Sequence, residues 1–344
     1  MDPLISILVP VYNVEKFVEK CLLSIMNQTY TNIEILVYDD ASTDRSFDII
    51  IEIQKKDPRI KVLNGLCNKG VSFVRNKLIQ ETKGAYFLFV DSDDYISNTM
   101  VEELYNKAFS TNADITICNL NFVFEKTGCE REQNNTFPTQ DIVSREEAIG
   151  LFFRGIITGH CCNKLIKYKT FKENKLSFSE KLVAYDDAPG VFSILLCSDI
   201  ITFVDAPLYH YLQRDNSITR ETSIPILNAH LNLVSDLDKN LPIELLNNYQ
   251  KEFEIFKVHQ LFYNFTLQTK NKKQNSKEGR EFFDEYKRLV ESIRFTNAFF
   301  NKYMNWKDRI RLIVLKSNWM YGYRKLKKLS KIQINVKNVR GKFL

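Results

Sequence analysis

The sequence has no apolar run long enough to form a membrane-spanning helix. Such a helix needs about 18 or more mostly apolar residues in succession, and the longest candidate runs, such as Ala188–Ser198, are much shorter. The N-terminus, Met1-Asp2-Pro3, also lacks the basic segment that opens a secretory signal peptide. We therefore expect neither a membrane span nor a leader, and we expect a cytoplasmic location.

The sequence also lacks the cysteine patterns of disulfide frameworks and zinc sites. Its seven cysteines are scattered, their number is odd, and no Cys-x-x-Cys pair occurs. Disulfide-rich secreted proteins use paired cysteines, and structural zinc needs clustered ligands. The pattern therefore indicates reduced thiols in a cytosol-like compartment.

Glycine and proline are scarce, with 11 and 8 residues among 344, which excludes collagen-like and linker-rich chains. No glycine-rich phosphate loop, of the kind usual in nucleotidyltransferases, lies between Val9 and Glu15. With 44% hydrophobic and 26% charged residues, the composition is that of an ordinary globular protein. The length suits one large domain, or a domain with an appendage.

The net charge of +6 is unevenly distributed along the chain. Residues 301–344 hold 13 basic residues and one acidic residue, Asp308, whereas residues 1–300 carry a net charge of −6. Trp306–Leu315 and Trp319–Leu329 mix aromatic, aliphatic and basic residues, which suits an anionic membrane surface. The alternatives are a C-terminal helix packed on the body, or nucleic-acid binding, for which no motif is present.

Strand and helix patterns alternate over the first 125 residues. Continuous apolar runs typical of buried parallel strands alternate with helical stripes of apolar residues. The predicted strands are Ile5–Val9, Ile33–Val37, Ile60–Leu63 and Tyr86–Val90, followed by one strand or a pair of strands at Ile115–Phe124. Two of the helices are Glu15–Met26 and Val71–Glu81. This order predicts an α/β fold with a doubly wound, mostly parallel sheet and flanking helices. Further helices are predicted at Ser144–Arg154 and Glu244–Thr269.

Polar groups follow three of these strands, at Pro10–Asn13, Asp39-Asp40 and Asp91–Asp94. Ligands of open α/β sheets bind beyond the carboxyl ends of the strands, so these groups should converge on one crevice. Three carboxylates within four residues repel one another unless a cation or a proton compensates them. Mg²⁺ and Mn²⁺ prefer oxygen ligands and often bind carboxylates together with phosphates. The cluster predicts a metal–diphosphate site; a solvated acidic turn with helix-capping aspartates is the alternative.

Two further residues have the chemistry to hold a nucleobase. Asp40 can accept a hydrogen bond from a base, and Tyr12 can stack on its face. Arg75, one turn inside the third predicted helix, could reach a phosphate or the base. The alternatives are a turn aspartate, a half-buried tyrosine and a solvated helical charge.

Five blocks of the first hundred residues resemble glycosyltransferase family 2, and they occur in the order of that family. They are Ser6–Asn13, Asn27–Tyr30, Tyr38–Asp44, Asn68–Ser72 with Arg75-Asn76, and Phe89–Asp94. The resemblance implies a GT-A fold, a nucleotide-sugar donor, a divalent metal (Mn²⁺ or Mg²⁺) and transfer with inversion. It implies that Pro10, Tyr12, Asp40, Arg75 and Asp91 surround the nucleotide, and that Asp93 and Asp94 meet the metal.

The second half of the chain resembles the family less closely. Tyr185-Asp186-Asp187 is similar to the family's acidic pair whose aspartate is the catalytic base, which implies that Asp187 is the base. The alternative is a helix N-terminus favoured by the helix dipole. Candidate contacts to the diphosphate or the acceptor are Lys164, Asp186, His210, Arg214 and Ser217.

The sequence also departs from the family pattern. Cys162 stands where an aromatic residue is frequent, and Asp186 stands for a glutamate, which leaves open which carboxylate is the base. Leu78 and Ala41 each replace a frequent glycine, so we expect the turn at Ala41 to avoid positive φ. His210 could instead be a metal ligand or an ordinary half-buried histidine.

We therefore predict a GT-A catalytic domain over residues 1–220, with a nucleotide-binding half (1–100) and an acceptor half (101–220). A helical region with the basic tail 301–344 follows over residues 221–344. The predicted activity is metal-dependent, inverting transfer of a hexosyl or N-acetylhexosaminyl group to a glycan or lipid-linked acceptor. The donor is a nucleoside diphosphate sugar, with a UDP-sugar as the first choice. The setting would be cell-surface polysaccharide or lipooligosaccharide synthesis at the inner membrane face, without a nucleic-acid partner. The rival hypothesis is an inactive transferase fold that serves as a membrane scaffold.

Overall fold

The computed structural model describes most of the chain. The described residues are 2–133, 136–180, 187–214, 228, 231–235, 237, 241, 243–268, 277–300 and 302–316. The chain divides into two compact units. Unit 1 comprises residues 1–148, 159–182 and 186–215, and unit 2 comprises residues 149–158, 183–185 and 216–344. Within the described part of the chain, no helix has the length and apolar character that crossing a bilayer requires.

Unit 1 is built on a nine-stranded mixed sheet with the order β3-β2-β1-β4-β8-β6-β9-β5, in which β7 pairs with β6. Its strands are β1 (Ile5–Val11), β2 (Ile33–Asp39), β3 (Ile60–Asn64), β4 (Tyr86–Phe89), β5 (Tyr95–Ile96), β6 (Ile115–Phe124), β7 (Glu130–Glu132), β8 (Lys164–Lys167) and β9 (Ile201–Gln213).

The first four strands are parallel, and helices connect them. β1 lies between β2 and β4, and every residue of β1 is buried, as expected for a strand covered on both faces. The connecting helices are α1 (Val18–Met26), α2 (Ser46–Gln54) and α3 (Val71–Glu81). The apolar face of α1 packs into the core with Cys21, Leu22 and Ile25 fully buried. The predicted α/β fold class is confirmed.

The other half of the sheet is mixed. β8 runs antiparallel between β4 and β6, while β9 pairs in parallel with β6 along its whole length, with irregular register near Asn119. The helices of this half are α4 (Met100–Thr111), α5 (Arg145–Phe153), α6 (Tyr168–Glu173) and α7 (Asp187–Leu196). The division between the two units falls inside α5.

The turn after β2 corrects one prediction. Ala41 adopts φ 58°, in the left-handed region that the missing glycine was expected to rule out. A side chain in this region costs roughly 1–2 kcal/mol. A hydrogen bond within the turn compensates part of that strain, since Asp39 Oδ2 accepts from the Ser42 N–H at 3.0 Å.

Unit 2 is helical in its described part. The helices are α8 (Ile243–Gln268), α9 (Lys277–Ser292), α10 (Phe295–Phe299) and α11 (Trp306–Lys316). Its core joins α8, α9 and α11 through apolar residues that include Val258, Leu261, Leu289, Leu312 and Leu315. The predicted domain boundary near residue 220 stays a prediction, because residues 215–227 lie outside the described residues.

Candidate active site

The carboxyl ends of β1, β2 and β4 meet at one edge of the sheet. The Asp40 N–H donates to the Val11 carbonyl at 2.9 Å, and the Val90 N–H donates to the Leu8 carbonyl at 3.0 Å. The chain segments after the three strands therefore lie side by side, as predicted for the ligand-binding edge of an α/β sheet.

Asp40 secures the loop before α3. It is 3% exposed, and its carboxylate accepts hydrogen bonds from the backbone N–H groups of Lys69 at 3.0 Å and Gly70 at 2.8 Å. Tyr12, which directly follows β1, is 46% exposed, which suits a stacking platform. Pro10 is buried within β1, opposite Tyr38 of β2. Their roles in nucleotide binding stay predictions.

Asp94 is the most enclosed member of the acidic cluster. Its Oδ2 accepts a hydrogen bond from the Tyr209 hydroxyl at 2.8 Å, and its Oδ1 accepts one from the Leu212 N–H at 2.7 Å. Burial raises the pKa of Asp94 well above its usual value, and the charges of Asp93 and Asp91 raise it further. Since protein donors occupy both oxygens, Asp94 is better suited to position the turn than to bind a ligand.

Asp93 is more open and pairs with an arginine. Its side chain is 22% exposed and forms an ion pair with Arg214. Burial raises the pKa of Asp93, and the charge of Arg214 opposes that effect. The Arg214 guanidinium also lies 5.1 Å from the centre of the Phe17 ring. Arg214 thus supplies positive charge beside the acidic cluster.

Arg75 joins two carboxylates from different elements. Its side chain is 5% exposed, its Nη2 lies 3.3 Å from Asp91 Oδ1, and its Nη1 pairs with Asp187 Oδ1. The guanidinium carbon lies 5.7 Å from the ring centres of both Phe89 and Phe178. The apolar rings hold the guanidinium in place and strengthen its charge interactions by excluding water.

Asp187 is the first residue of α7, and its side chain is 23% exposed. Its Oδ2 accepts hydrogen bonds from the backbone N–H of Cys161 at 3.4 Å and from the Cys161 thiol at 3.5 Å. The helix dipole alone would account for an aspartate at a helix N-terminus. The buried arginine that pairs with it distinguishes Asp187 from an ordinary capping residue.

The five residues Arg75, Asp91, Asp93, Asp187 and Arg214 are called the site cluster below. They can bind an anionic ligand through two arginines, share a cation through Asp93 and Asp91, and accept a proton through Asp187.

Two predicted contacts lie elsewhere. His210 stacks on Tyr95 at 4.4 Å, and its ring nitrogens lie 3.1 Å from Ser97 Oγ and 3.2 Å from Asn121 Nδ2. Burial lowers the pKa of His210, which favours the neutral ring. Lys164 is 1% exposed within unit 1. Neither side chain joins the site cluster through these contacts. Asp186 and Ser217 lie outside the described residues.

A divalent cation would have few protein ligands here. The described ranges contain no group of three or more His, Cys, Asp or Glu residues that could hold a metal ion. Mg²⁺ and Mn²⁺ sites in nucleotide enzymes often use one or two carboxylates and complete their shell with phosphate oxygens and water. Asp93 fits a metal of that kind, because its side chain is partly exposed and its partner, the Arg214 side chain, can be displaced.

Two residues that support the site were not among the predicted contacts. Tyr209 donates to Asp94 and accepts from the Asp91 N–H at 3.0 Å, so it supports the whole acidic turn. Its position in an alternating strand could have indicated an inward side chain. Cys161 gave no such signal, because its contact with Asp187 depends on the packing of separate segments.

Comparison with known proteins identifies the class of this fold and site. The family model described as "Glycosyl transferase family 2" matches residues 6–174. The Bacillus subtilis protein EpsH, named as a glycosyltransferase, is 34% identical over 262 residues, which cover 74% of each chain. The chain therefore belongs to glycosyltransferase family 2, which confirms the predicted family.

Two further proteins are similar to this chain. The poly(ribitol-phosphate) beta-glucosyltransferase of Bacillus spizizenii is 32% identical over 225 residues, which cover 64% of this chain and 34% of that protein. The S. aureus protein TarS, residues 1–349 in complex with UDP-GlcNAc, has a TM-score of 0.66 at 19% identity, covering 92% of both chains. The likeness to TarS supports the GT-A fold.

Proposed function

We propose that this glycosyltransferase moves a sugar from a nucleoside diphosphate donor, UDP foremost, to a hydroxyl group of a glycan or lipid-linked acceptor, with inversion at the anomeric carbon. The observation that carries the proposal is the position of Arg75, which connects Asp91, at the end of β4, to Asp187, at the start of α7. The guanidinium of Arg75 thereby links the sheet edge that we propose to bind the nucleotide with the proposed base, Asp187.

The donor would bind at the carboxyl edge of the sheet and to the arginine side chains beside it. Tyr12 offers an exposed ring to the base, and Asp40 holds the loop that leads to α3. Pro10 shapes the end of β1 beneath them. Arg75 and Arg214 supply positive charge for the diphosphate, because arginine binds phosphate oxygens through paired N–H groups.

The proposed metal ligands are Asp93 first, with Asp91 beside it. Asp94 remains a weaker candidate because both its oxygens already accept protein hydrogen bonds. A bound divalent cation would neutralise the charge that develops on the departing nucleoside diphosphate. Asp93 would exchange its pairing with Arg214 for that cation, which frees the guanidinium to bind a phosphate.

Asp187 is the proposed general base. Its carboxylate is partly exposed and held by Arg75 and Cys161, so an acceptor hydroxyl can approach an oriented oxygen. When the hydroxyl oxygen forms its bond to the anomeric carbon, Asp187 takes the hydroxyl proton, and the bond to the diphosphate breaks on the opposite face. This in-line displacement converts an α-linked donor into a β-linked product.

The names of the similar proteins support the sugar class and the setting. A beta-glucosyltransferase of poly(ribitol-phosphate) and a complex with UDP-GlcNAc both point to a hexosyl or N-acetylhexosaminyl donor. A cell-surface polysaccharide or lipooligosaccharide is the proposed product.

The decisive experiment measures transfer from a panel of nucleotide sugars with Mn²⁺, using glycan and lipid-linked acceptors, followed by Asp187→Asn. We expect transfer with anomeric inversion, and a loss of roughly 10²–10⁴-fold in Asp187→Asn with Mn²⁺-dependent UDP binding retained. The matched control is Asp199→Asn, since Asp199 is an exposed aspartate paired with Arg145. Wild-type transfer by Asp187→Asn would overturn the base assignment. No turnover with any donor would favour the inactive scaffold.

Peripheral attachment to an anionic membrane is a second proposal, and α11 supports it. Trp306, Ile310 and Ile313 are 65%, 47% and 47% exposed on this helix, while Leu312 and Leu315 are buried in unit 2. Exposed aromatic and aliphatic residues beside lysines suit a membrane surface. The basic tail beyond residue 316 lies outside the described residues.

Vesicle binding tests this second proposal. The double variant Trp306→Ala/Ile313→Ala should bind vesicles of anionic phospholipid more weakly than wild type at low salt. Phe109→Ala, which removes an exposed aromatic ring from α4, is the control and should bind as wild type. Equal binding by all three proteins would contradict a membrane role for α11.

A further inference from the structure

Lys164 has a different position from the one that its predicted role as a contact to the diphosphate or the acceptor requires. A lysine that contacts a diphosphate or an acceptor must reach solvent, whereas Lys164 is 1% exposed. Its ammonium group donates to the carbonyl of His160 and to Asn163 Oδ1, the latter at 2.8 Å. Burial lowers the pKa of Lys164 to about 8, so the ammonium form with its three donors still predominates at neutral pH.

The segment that Lys164 binds is tightly built. The side-chain amide of Asn163 donates to the Cys118 carbonyl at 2.6 Å, and the Cys118 N–H donates to the Asn163 carbonyl at 3.1 Å. At the other end, a Cβ on Gly159 would lie 2.6 Å from the Cβ of Ala188. Residues 159–163 are therefore anchored to β6 at one end and packed against the first turn of α7 at the other.

This segment carries the donors that reach Asp187. The Cys161 N–H and thiol both approach Oδ2, while Arg75 pairs with Oδ1, so each carboxylate oxygen has its own partner. A carboxylate held at both oxygens has a restricted orientation. Catalytic rates depend steeply on such orientation, since a misplacement of about 1 Å can cost about 10²-fold.

We propose that Lys164 is a positioning residue for Asp187, which holds segment 159–163 so that Cys161 directs its N–H and thiol at the Oδ2 of the base. The proposal rests on the proposed function, in which Asp187 accepts the proton of the acceptor hydroxyl. Lys164 then acts on the rate of transfer through Cys161 and has no contact with the donor.

The test compares Lys164→Met, Cys161→Ala and Cys161→Ser with the control Lys167→Met. Lys167 also lies on β8, but its ammonium binds Asn112 Oδ1 at 2.9 Å on an exposed part of the surface. We expect Lys164→Met to lower kcat by about 10- to 100-fold with unchanged donor KM. Cys161→Ala should lower kcat about fivefold, the value of one hydrogen bond. Cys161→Ser, which keeps a side-chain donor, should lower kcat less than Cys161→Ala does, and Lys167→Met should retain wild-type kcat.

A double-mutant cycle with Asp187→Asn separates positioning from other roles. If Lys164 acts through Asp187, then Lys164→Met causes no further loss of the residual rate in the Asp187→Asn background. Multiplicative losses, or a raised donor KM with unchanged kcat, would overturn the proposal. Should Lys164→Met fail to fold by circular dichroism, the same cycle with Cys161→Ala decides the question by the same criteria.

The cycle also distinguishes failure of this proposal from failure of the proposed function. Asp187→Asn alone tests the base assignment. If that variant is inactive while the Lys164 and Cys161 variants behave as wild type, only the positioning proposal is wrong.

Discussion

Charged side chains gather in both units, but solvent reaches the two groups differently. In the site cluster of unit 1, Asp91, Asp93 and Asp187 keep 24%, 22% and 23% of their side-chain surface exposed. In unit 2, Asp308 lies 2.9 Å from His259 Nε2 and also pairs with Arg311, and only 3% of its side chain is exposed. We call His259, Asp308 and Arg311 the bundle cluster.

The difference in exposure indicates a difference in use. A fully enclosed ion pair cannot exchange its partner for a ligand, and removing one member leaves an uncompensated buried charge. A partly exposed carboxylate can exchange an arginine for a metal or a substrate at small cost. We therefore expect the bundle cluster to serve the stability of unit 2, whereas the exposure of the site cluster agrees with its proposed role in ligand binding.

The largest expected effect is on the bundle cluster. Asp308→Ala leaves His259 and Arg311 without their shared carboxylate and should lower the free energy of unfolding by about 3–5 kcal/mol. Urea denaturation followed by tryptophan fluorescence measures it, because both tryptophans lie in the C-terminal region. Asp284→Ala, at an exposed position of α9, is the control. Equal losses in both variants would remove the distinction between the clusters.

Removal of a carboxylate charge from the site cluster should instead change stability little and ligand binding strongly. Asp93→Asn should change the free energy of unfolding by less than about 1 kcal/mol, because Asp93 is partly exposed. It should weaken Mn²⁺-dependent UDP binding at least about tenfold, the equivalent of 1.4 kcal/mol. Calorimetric titration with UDP, with and without Mn²⁺, measures this. UDP affinity that stays at the wild-type value and still depends on Mn²⁺ would contradict the assignment of Asp93.

Arg214 offers a finer test of partner exchange. Arg214→Gln removes the cation that competes for Asp93, so binding of Mn²⁺ alone should strengthen by about 1 kcal/mol or roughly fivefold. Electron paramagnetic resonance of free Mn²⁺ gives the affinity without any turnover. Arg145→Gln breaks a comparable surface ion pair and should leave the affinity unchanged. Weaker Mn²⁺ binding in Arg214→Gln would show that Arg214 supports the metal instead of competing with it.

The smallest expected effect is an acid-side pH dependence in unit 2. Burial alone would raise the pKa of Asp308, but the hydrogen bond from His259 and the charges of His259 and Arg311 outweigh it and lower that pKa. A carboxyl with a depressed folded-state pKa stabilises the fold above its unfolded pKa of about 4, and that stability is lost as the pH falls through the folded-state value.

Denaturation midpoints of wild type and Asp308→Asn, measured from about pH 6 to about pH 3, check this sign. The wild type should lose more stability on acidification than the variant, which has no carboxyl to titrate at this position. If the midpoints of the two proteins fall in parallel with pH, then groups other than Asp308 cause the loss of stability in acid.

The parallel half of unit 1 could be predicted closely from the sequence. α3 has the predicted bounds, Val71–Glu81, and β2 begins at the predicted residue, Ile33. Their limits follow from local signals, since buried parallel strands are continuous apolar runs and helices show a regular stripe. The acidic turn could be placed because it directly follows such a strand.

The mixed half could not be predicted in the same way. The pairing of β8 between β4 and β6 joins residues far apart in sequence, and no local period encodes it. Lys164 was a candidate contact to the diphosphate or the acceptor, but it is a buried lysine, which is rare, and its ammonium donates to a carbonyl and an amide oxygen of its own segment. The prediction of a negative φ at Ala41 was wrong for a related reason. Hydrogen bonds made by neighbouring residues outweigh the preference of alanine for negative φ.

Arg75 connects the two ends of the site in a thermodynamic sense. Because one guanidinium pairs with both Asp91 and Asp187, a ligand that changes the pairing at Asp91 also changes the free energy of the pair with Asp187. Linkage is reciprocal, so whatever binds at Asp187 alters affinity at Asp91 by the same factor. Under the proposed function, in which the donor binds beside Asp91 and the acceptor beside Asp187, a single side chain would couple the affinities of the two substrates.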